Sequence, residues 1–264
     1  MTSTTLALHE IHDGGGVPLV LLHGFPLDHR MWTPLAAHLP PGIRALALDL
    51  PGAGHSPLGS VAPSLDAAAA AVHRTLVGAG VANGIVVGMS MGGYVALALA
   101  ERHPGFVDGL ALVDTKASAD SEEARTRRLK IAHEVEMNQT VDPVLAMPAT
   151  LLGATSLQRR RPLLTTLETW VRGQSPAGVA WAQRAMADRP DRTHVLQQFD
   201  GPVSVVVGAE DAITPPAEAE HMERAARDAA LTVVPGAGHA SPVEDPSAVA
   251  AALALLHRRV VRHR

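Results

Sequence analysis

The 264-residue chain contains no cysteine. Disulfides, thiolate nucleophiles and cysteine-ligated metal sites are excluded from the outset. It also lacks any excess of positive charge: 22 Lys and Arg stand against 26 Asp and Glu, a formal net charge of −4. Without a broad electropositive surface, no nucleic-acid partner is expected. The run Arg159-Arg160-Arg161 reads as a solvated face or helix end. No apolar stretch reaches the ~18 residues of a membrane span, because glycine, proline or charge interrupts each one. The opening segment MTSTTLALHEIHDGGG has no basic region followed by an apolar one. A soluble cytoplasmic protein without membrane association is the expectation. Cofactor motifs are missing as well. No H-E-x-x-H occurs, no P-loop spacing occurs, and Gly78-Ala79-Gly80 lacks the third glycine of a dinucleotide fingerprint. We expect no cofactor and no metal.

What is present is an apolar, globular composition, with 47% hydrophobic and 18% charged residues, which excludes a disordered chain. Short apolar runs recur at 17–22, 43–48, 85–87, 110–113, 203–207 and 231–234. Runs of this kind suit strands buried on both faces. Between them lie helical stretches: 65–77, capped by Ser64, then 94–103, halted by Pro104, and a last one from about Pro246 to Arg259. The alternation predicts an α/β protein with a mostly parallel central sheet and helices on both faces. The segment 6–11 alternates and is expected to pair antiparallel with 17–22 across a Gly14-Gly15-Gly16 turn. Any strand preceding it would be very short. Residues 117–198 contain charged helical segments and no strand. They are expected to form a helical cap inserted into a core made of 1–116 and 199–264. Trp170 and Trp181 fall in this segment, as candidates for lining a pocket.

Chemistry concentrates around GIVVGMSMGGYVALALA at 84–100. Gly88-Met89-Ser90-Met91-Gly92 matches G-x-S-x-G between a strand and a helix, where the serine sits on a sharp strained turn that exposes its hydroxyl. A helix N-cap serine in a glycine-rich turn is the plainer alternative. A serine nucleophile needs a base. Of fourteen histidines, His239 is the candidate, since it lies just past the last strand in PGAGHASP, at the carboxyl edge where open α/β sheets bind ligands. His23, His55, His103 and His257 fall at strand ends, turns or helix surfaces. Asp211, after the strand 203–207, is the expected carboxylate for the imidazole, with Glu210 its neighbour and Asp114 a stand-in. The backbone amides of Phe25 and Met91 are the candidate donors for an oxyanion.

The chain resembles the α/β-hydrolase fold family in its small bacterial form with a helical cap. The resemblance rests on HGFPLDHRMW at 23–32, DLPGAGHS at 49–56, GMSMGG at 88–93, GAEDAITPP at 208–216 and GAGHASPVEDP at 236–246. It is nearest to carboxylesterase and 3-oxoadipate enol-lactonase-like members. The resemblance implies a serine hydrolase acting on a carboxylic ester or lactone of a small to medium substrate. Asp49, Gly52, Gly54 and Ser56 would hold a turn beneath the site, and Leu27, Trp32, Met89 and Met91 would form an apolar wall. Ser90 argues against a dehalogenase, and Met89 against a C–C bond hydrolase. Perhydrolase, C–C bond hydrolase or biosynthetic tailoring chemistry on the same residues, or a non-catalytic small-molecule-binding role, are the alternatives.

Overall fold

A computed structural model describes residues 5–60 and 62–263. The apolar runs become β1 (Leu8–His12), β2 (Gly14–Leu22), β3 (Gly42–Leu48), β4 (Gly84–Met89), β5 (Val107–Val113), β6 (Val203–Gly208) and β7 (Ala229–Val234). They form one sheet in the order β1-β3-β2-β4-β5-β6-β7. Every neighbouring pair is parallel except β1 with β3. The central strands are buried along nearly their whole length, as continuous apolar sequence requires. Residues 1–4 lie outside the described residues, so the expectation of a short preceding strand falls there.

The expected hairpin between the first two strands does not form. Leu8 pairs with Leu48 of β3, not with β2. Both edges of β2 are taken, one by β3 and the other by β4, where Leu19 faces Ile85. β1 instead takes the outer side of β3. The glycines at 14–16 accordingly belong to β2 and make no turn.

Helices surround the sheet. On the amino-terminal side of β5 are α1 (Thr33–Ala36), α2 (Leu65–Gly78) and α3 (Met91–Arg102). The Ser64 side chain caps α2 by accepting the Ala67 N–H. Between β5 and β6 come α4 (Glu122–Asn138), α5 (Met147–Leu151), α6 (Ala154–Arg159), α7 (Arg161–Arg172), α8 (Pro176–Ala187) and α9 (Thr193–Gln198). After β6 follow α10 (Pro216–Ala225), α11 (Ser241–Glu244) and α12 (Pro246–His263). No helix among the described residues is long and apolar enough to cross a membrane.

The helices between β5 and β6 are fastened to the core where they leave and rejoin it. Asp120, buried at the departure point, receives Arg128 at 2.6 Å, Arg189 at 2.9 Å and Lys116 at 3.3 Å. Burial pushes its carboxyl up, but these cations outweigh that and hold it at about 2. The Arg189 guanidinium also lies 3.9 Å over the Tyr94 ring of α3. At the return point Arg192 donates to Glu101 at 2.9 Å. Because the Arg189 side chain is only 2% exposed, Asp120→Ala strands a buried cation. Urea denaturation at pH 7 is expected to show a loss of about 3 kcal/mol.

Candidate active site

The chain must reverse sharply to pass from β4 into α3, and Ser90 makes the turn at φ 51°, ψ −115°. A non-glycine residue there stores about 1–3 kcal/mol and persists only if its surroundings fix it. They do. The Ser90 N–H donates to the Val113 carbonyl at 3.0 Å, and its own carbonyl accepts from Gly93 N–H at 2.9 Å and the Thr115 hydroxyl at 2.8 Å. The flanking glycines answer to space. A Cβ on Gly88 would lie 2.2 Å from the Gly92 carbonyl oxygen, and one on Gly92 would lie 2.1 Å from that of Leu22. The turn is thereby pressed against the end of β2, with the Ser90 side chain left half-buried.

Two loops from the same carboxyl edge meet this hydroxyl. Ser90 Oγ donates to His239 Nε2 at 2.8 Å, and His239 Nδ1 donates to Asp211 Oδ2 at 2.8 Å. The other Asp211 oxygen accepts the Ile213 and Thr214 N–H groups at 2.8 and 2.9 Å, and the Thr214 hydroxyl donates to Oδ2 at 2.8 Å. Burial raises the Asp211 carboxyl, but the His239 and Thr214 bonds more than offset this and keep it below the ordinary carboxylate value. An ionised Asp211 places the imidazole proton on Nδ1 and leaves Nε2 free to take a proton from Ser90. Glu210 does something different. Its carboxylate accepts from the Thr155 N–H and hydroxyl, tying the loop to α6.

Three further buried groups hold these loops; from sequence, Asp114 is only the stand-in for Asp211, and Glu244 and His23 have no site role. Asp114 follows β5 at φ 43° and is fully buried. One oxygen accepts Gly208 N–H, the other Ser241 N–H, each at 2.9 Å. It therefore braces both the Asp211 and the His239 loops instead of serving as the imidazole's partner. Desolvation pushes its carboxyl up to about 7. Glu244 accepts from Gly238 N–H at 2.7 Å, Ala240 N–H at 3.3 Å and Gly153 N–H at 2.9 Å, so it grips the peptide on either side of His239. His23 donates from Nδ1 to the Gly24 carbonyl and accepts Leu50 N–H on Nε2. Burial lowers its basicity and holds it neutral. The loop it fixes carries Phe25 and runs against the serine: a Cβ on Gly24 would be 3.3 Å from the Ser90 Cβ. Met91 is the first residue of α3, where a peptide N–H has no partner within the helix.

Next to Phe25 and Met91, and without Ser90 or His239 in its lining, is a narrow cavity of about 20 Å³, room for about one water. Phe25, Leu27 and Met91 line it from the core, and Gln174, Val179 and Ala182 from the α7–α8 side. The Gln174 amide donates to Asp28 at 2.7 Å and its carbonyl accepts Gly54 N–H at 3.2 Å. Burial acts to raise Asp28, but Arg30 and Gln174 override it and hold it at about 2. Of the expected apolar wall, Leu27 and Met91 are in place. Trp32 and Met89 are fully buried beneath it and do not reach the cavity. Met89 is used up in packing, its sulfur filling the space above Gly24. Trp170 faces a surface groove with Arg161 and Thr165, its ring 5.7 Å from the Arg30 guanidinium. Trp181 is buried in α8, which packs on α4. A larger hollow of about 350 Å³ lies at the opposite end of the sheet, lined by Glu101, Pro104, Val107 and Phe199.

The chain matches the Alpha/beta hydrolase family over residues 19–252 and belongs to it. It is 31% identical over 239 residues to a pimeloyl-[acyl-carrier protein] methyl ester esterase of Aromatoleum aromaticum, covering 86% of this chain and 93% of that protein. Among solved structures, a thermophilic esterase from Thermogutta terrifontis (malate bound) superposes with a TM-score of 0.92 and 33% identity. The match covers 98% of this chain and 97% of the other. The enol-lactonase from Burkholderia xenovorans LB400 gives 0.84 at 25% identity, covering 96% and 97%.

The environment of Asp114 predicts a pH effect on stability. The carboxyl titrates near its ordinary 3.8 in the unfolded chain and near 7 in the fold. Between those values the folded protein holds a proton that the unfolded chain has released, so stability is full below about pH 4 and falls as pH rises towards 7, by at most ~1.4 kcal/mol per unit. Urea titrations of the wild type and Asp114→Asn across pH 4.5–8 are expected to show this slope in the wild type and its loss in the variant. Parallel profiles would mean the carboxyl is already ionised at the low end.

Proposed function

We propose that this member of the Alpha/beta hydrolase family is a serine hydrolase that cleaves carboxylic esters or lactones of small to medium substrates through an acyl-enzyme on Ser90. The observation that carries the reading is the pair of 2.8 Å contacts running from Ser90 Oγ to His239 to Asp211. Names of relatives and neighbours as esterases and an enol-lactonase support it from outside.

In this reading His239 takes the serine proton on Nε2 as Oγ attacks the carbonyl carbon. Asp211 stabilises the resulting imidazolium and keeps its orientation. Negative charge moves to the carbonyl oxygen, where the Phe25 and Met91 N–H groups receive it, the second aided by the positive end of α3. The imidazolium then hands its proton to the departing alkoxide. Water, deprotonated by the same nitrogen, releases the acyl group and restores the serine. Residues 117–198 serve as the cap, contributing Gln174, Val179 and Ala182 to the cavity roof. The apolar residues around the cavity beside Phe25 and Met91 favour an uncharged acyl or alcohol portion.

Hydrolysis of p-nitrophenyl acetate and butyrate tests this directly. Ser90→Ala is expected to lower kcat/KM by at least ~10³-fold, and Asp211→Asn by about 10³- to 10⁴-fold. A fluorophosphonate probe should label the wild type and not Ser90→Ala. An unlabelled, inactive but folded wild type would favour a binding role for this fold.

A further inference from the structure

On the outer side of the sheet, three histidines from separate stretches surround one carboxylate. His9 is on β1, His29 follows Asp28, His55 lies in the β3–α2 connection, and Asp49 immediately follows β3. One nitrogen from each imidazole and one oxygen of Asp49 lie within 4.8 Å of one another. His9 Nε2 is 3.0 Å from Asp49 Oδ2, His29 Nδ1 is 2.8 Å from Oδ1, and His55 Nδ1 is 4.0 Å from Oδ2. The catalytic reading uses none of the three imidazoles.

We propose that His9, His29, His55 and Asp49 form a binding site for a divalent transition-metal ion of the zinc type, distinct from the Ser90 site. The donor set fits. Neutral imidazoles with a carboxylate are ligands of zinc and its neighbours in the first transition row. Four atoms arranged tetrahedrally at zinc bond lengths of ~2.1 Å stand about 3.4 Å apart. From a spread of 4.8 Å, side-chain rotations bring each atom in by roughly an ångström or less. Most of the set is preorganised. The His9 and His29 rings stack with centroids 3.5 Å apart and 12° between planes. The Asp49 carboxylate is fully buried and oriented by the peptide N–H groups of His29 and His55, at 2.8 and 2.9 Å. Two N–H bonds leave the carboxylate lone pairs for an ion, and such outer bonds are what orient metal ligands. His55, whose side chain is 76% exposed, is the mobile fourth arm. The ion would clip β1, the segment after β2 and the β3–α2 connection together. That connection is the one whose Gly54 N–H is bonded to Gln174 of the cavity roof.

Zinc chloride alone, added to chelator-treated protein, tests the proposal by titration calorimetry and by thermal denaturation. One saturable site is expected, with Tm raised by several degrees at zinc ten times its Kd. Cobalt(II) should give the intense visible bands of a four-coordinate site. His55→Ala, which removes an exposed arm, and His9→Gln should each weaken zinc binding at least tenfold while leaving the metal-free Tm within a few degrees of wild type. Absence of saturable binding overturns the proposal. So does a Tm shift of equal size in both variants, which would mark adventitious binding to other surface histidines. Ester hydrolysis is read separately: these outcomes do not depend on Ser90 activity.

Discussion

The backbone reversal at Ser90 is the constraint around which the rest is arranged. A left-handed serine between a buried strand and a buried helix is tolerated because its N–H, its carbonyl and the peptide on each side are pinned by β5, Thr115 and the end of β2. That rigidity places one hydroxyl at a fixed height above the sheet's carboxyl edge. Everything arriving from β6 and β7 then has to come to it. The imidazole reaches the hydroxyl only because two buried carboxylates, Asp114 and Glu244, hold the loops at the required positions through peptide N–H groups. Ser90 and His239 are thus held in place by groups that are more numerous and better buried than the serine hydroxyl itself.

The parts of this arrangement that are visible in the sequence are those encoded locally. G-x-S-x-G at a strand–helix junction, an aspartate just after β6 and a histidine just after β7 each carry their meaning within a few residues. Asp114 and Glu244 carry theirs across the chain: Asp114 meets Ser241 127 positions away, and Glu244 meets Gly153 91 positions away. No spacing in the sequence signals either contact. The histidine cluster is hidden for the same reason, since its members come from three segments that the β1–β3 and β2–β3 pairings bring side by side. Proximity in sequence misleads in the other direction. β1 and β2 are adjacent along the chain yet lie on opposite sides of β3. Trp32 and Met89 adjoin the site motifs, but both are buried in the core and neither lines the cavity.

Polarity is distributed unevenly between the two halves of the site. The Asp211–His239 half is wrapped in charge-assisted hydrogen bonds: Asp211 has four, counting the His239 ring. The cavity half is lined mainly by apolar side chains, Leu27, Met91, Val179 and Ala182 among them. Under the proposed hydrolysis, an ester carbonyl held there would sit in a medium of low dielectric, where peptide dipoles act on developing charge more strongly than in water.

The fastening of residues 117–198 restricts how the chamber can open. Their two ends are clamped by Asp120 and Arg192, and their middle is tied to the core at Gly153 and Thr155. A swing of the entire segment would tear out the Glu244 and Glu210 bonds and drag His239 with them. The connection between α7 and α8 meets the core through Gln174, whose amide rests on Asp28 and whose carbonyl accepts the Gly54 N–H. Under the proposed hydrolysis, entry would need only a small excursion around that neutral latch, with Ser90, His239 and Asp211 still assembled while the door is ajar.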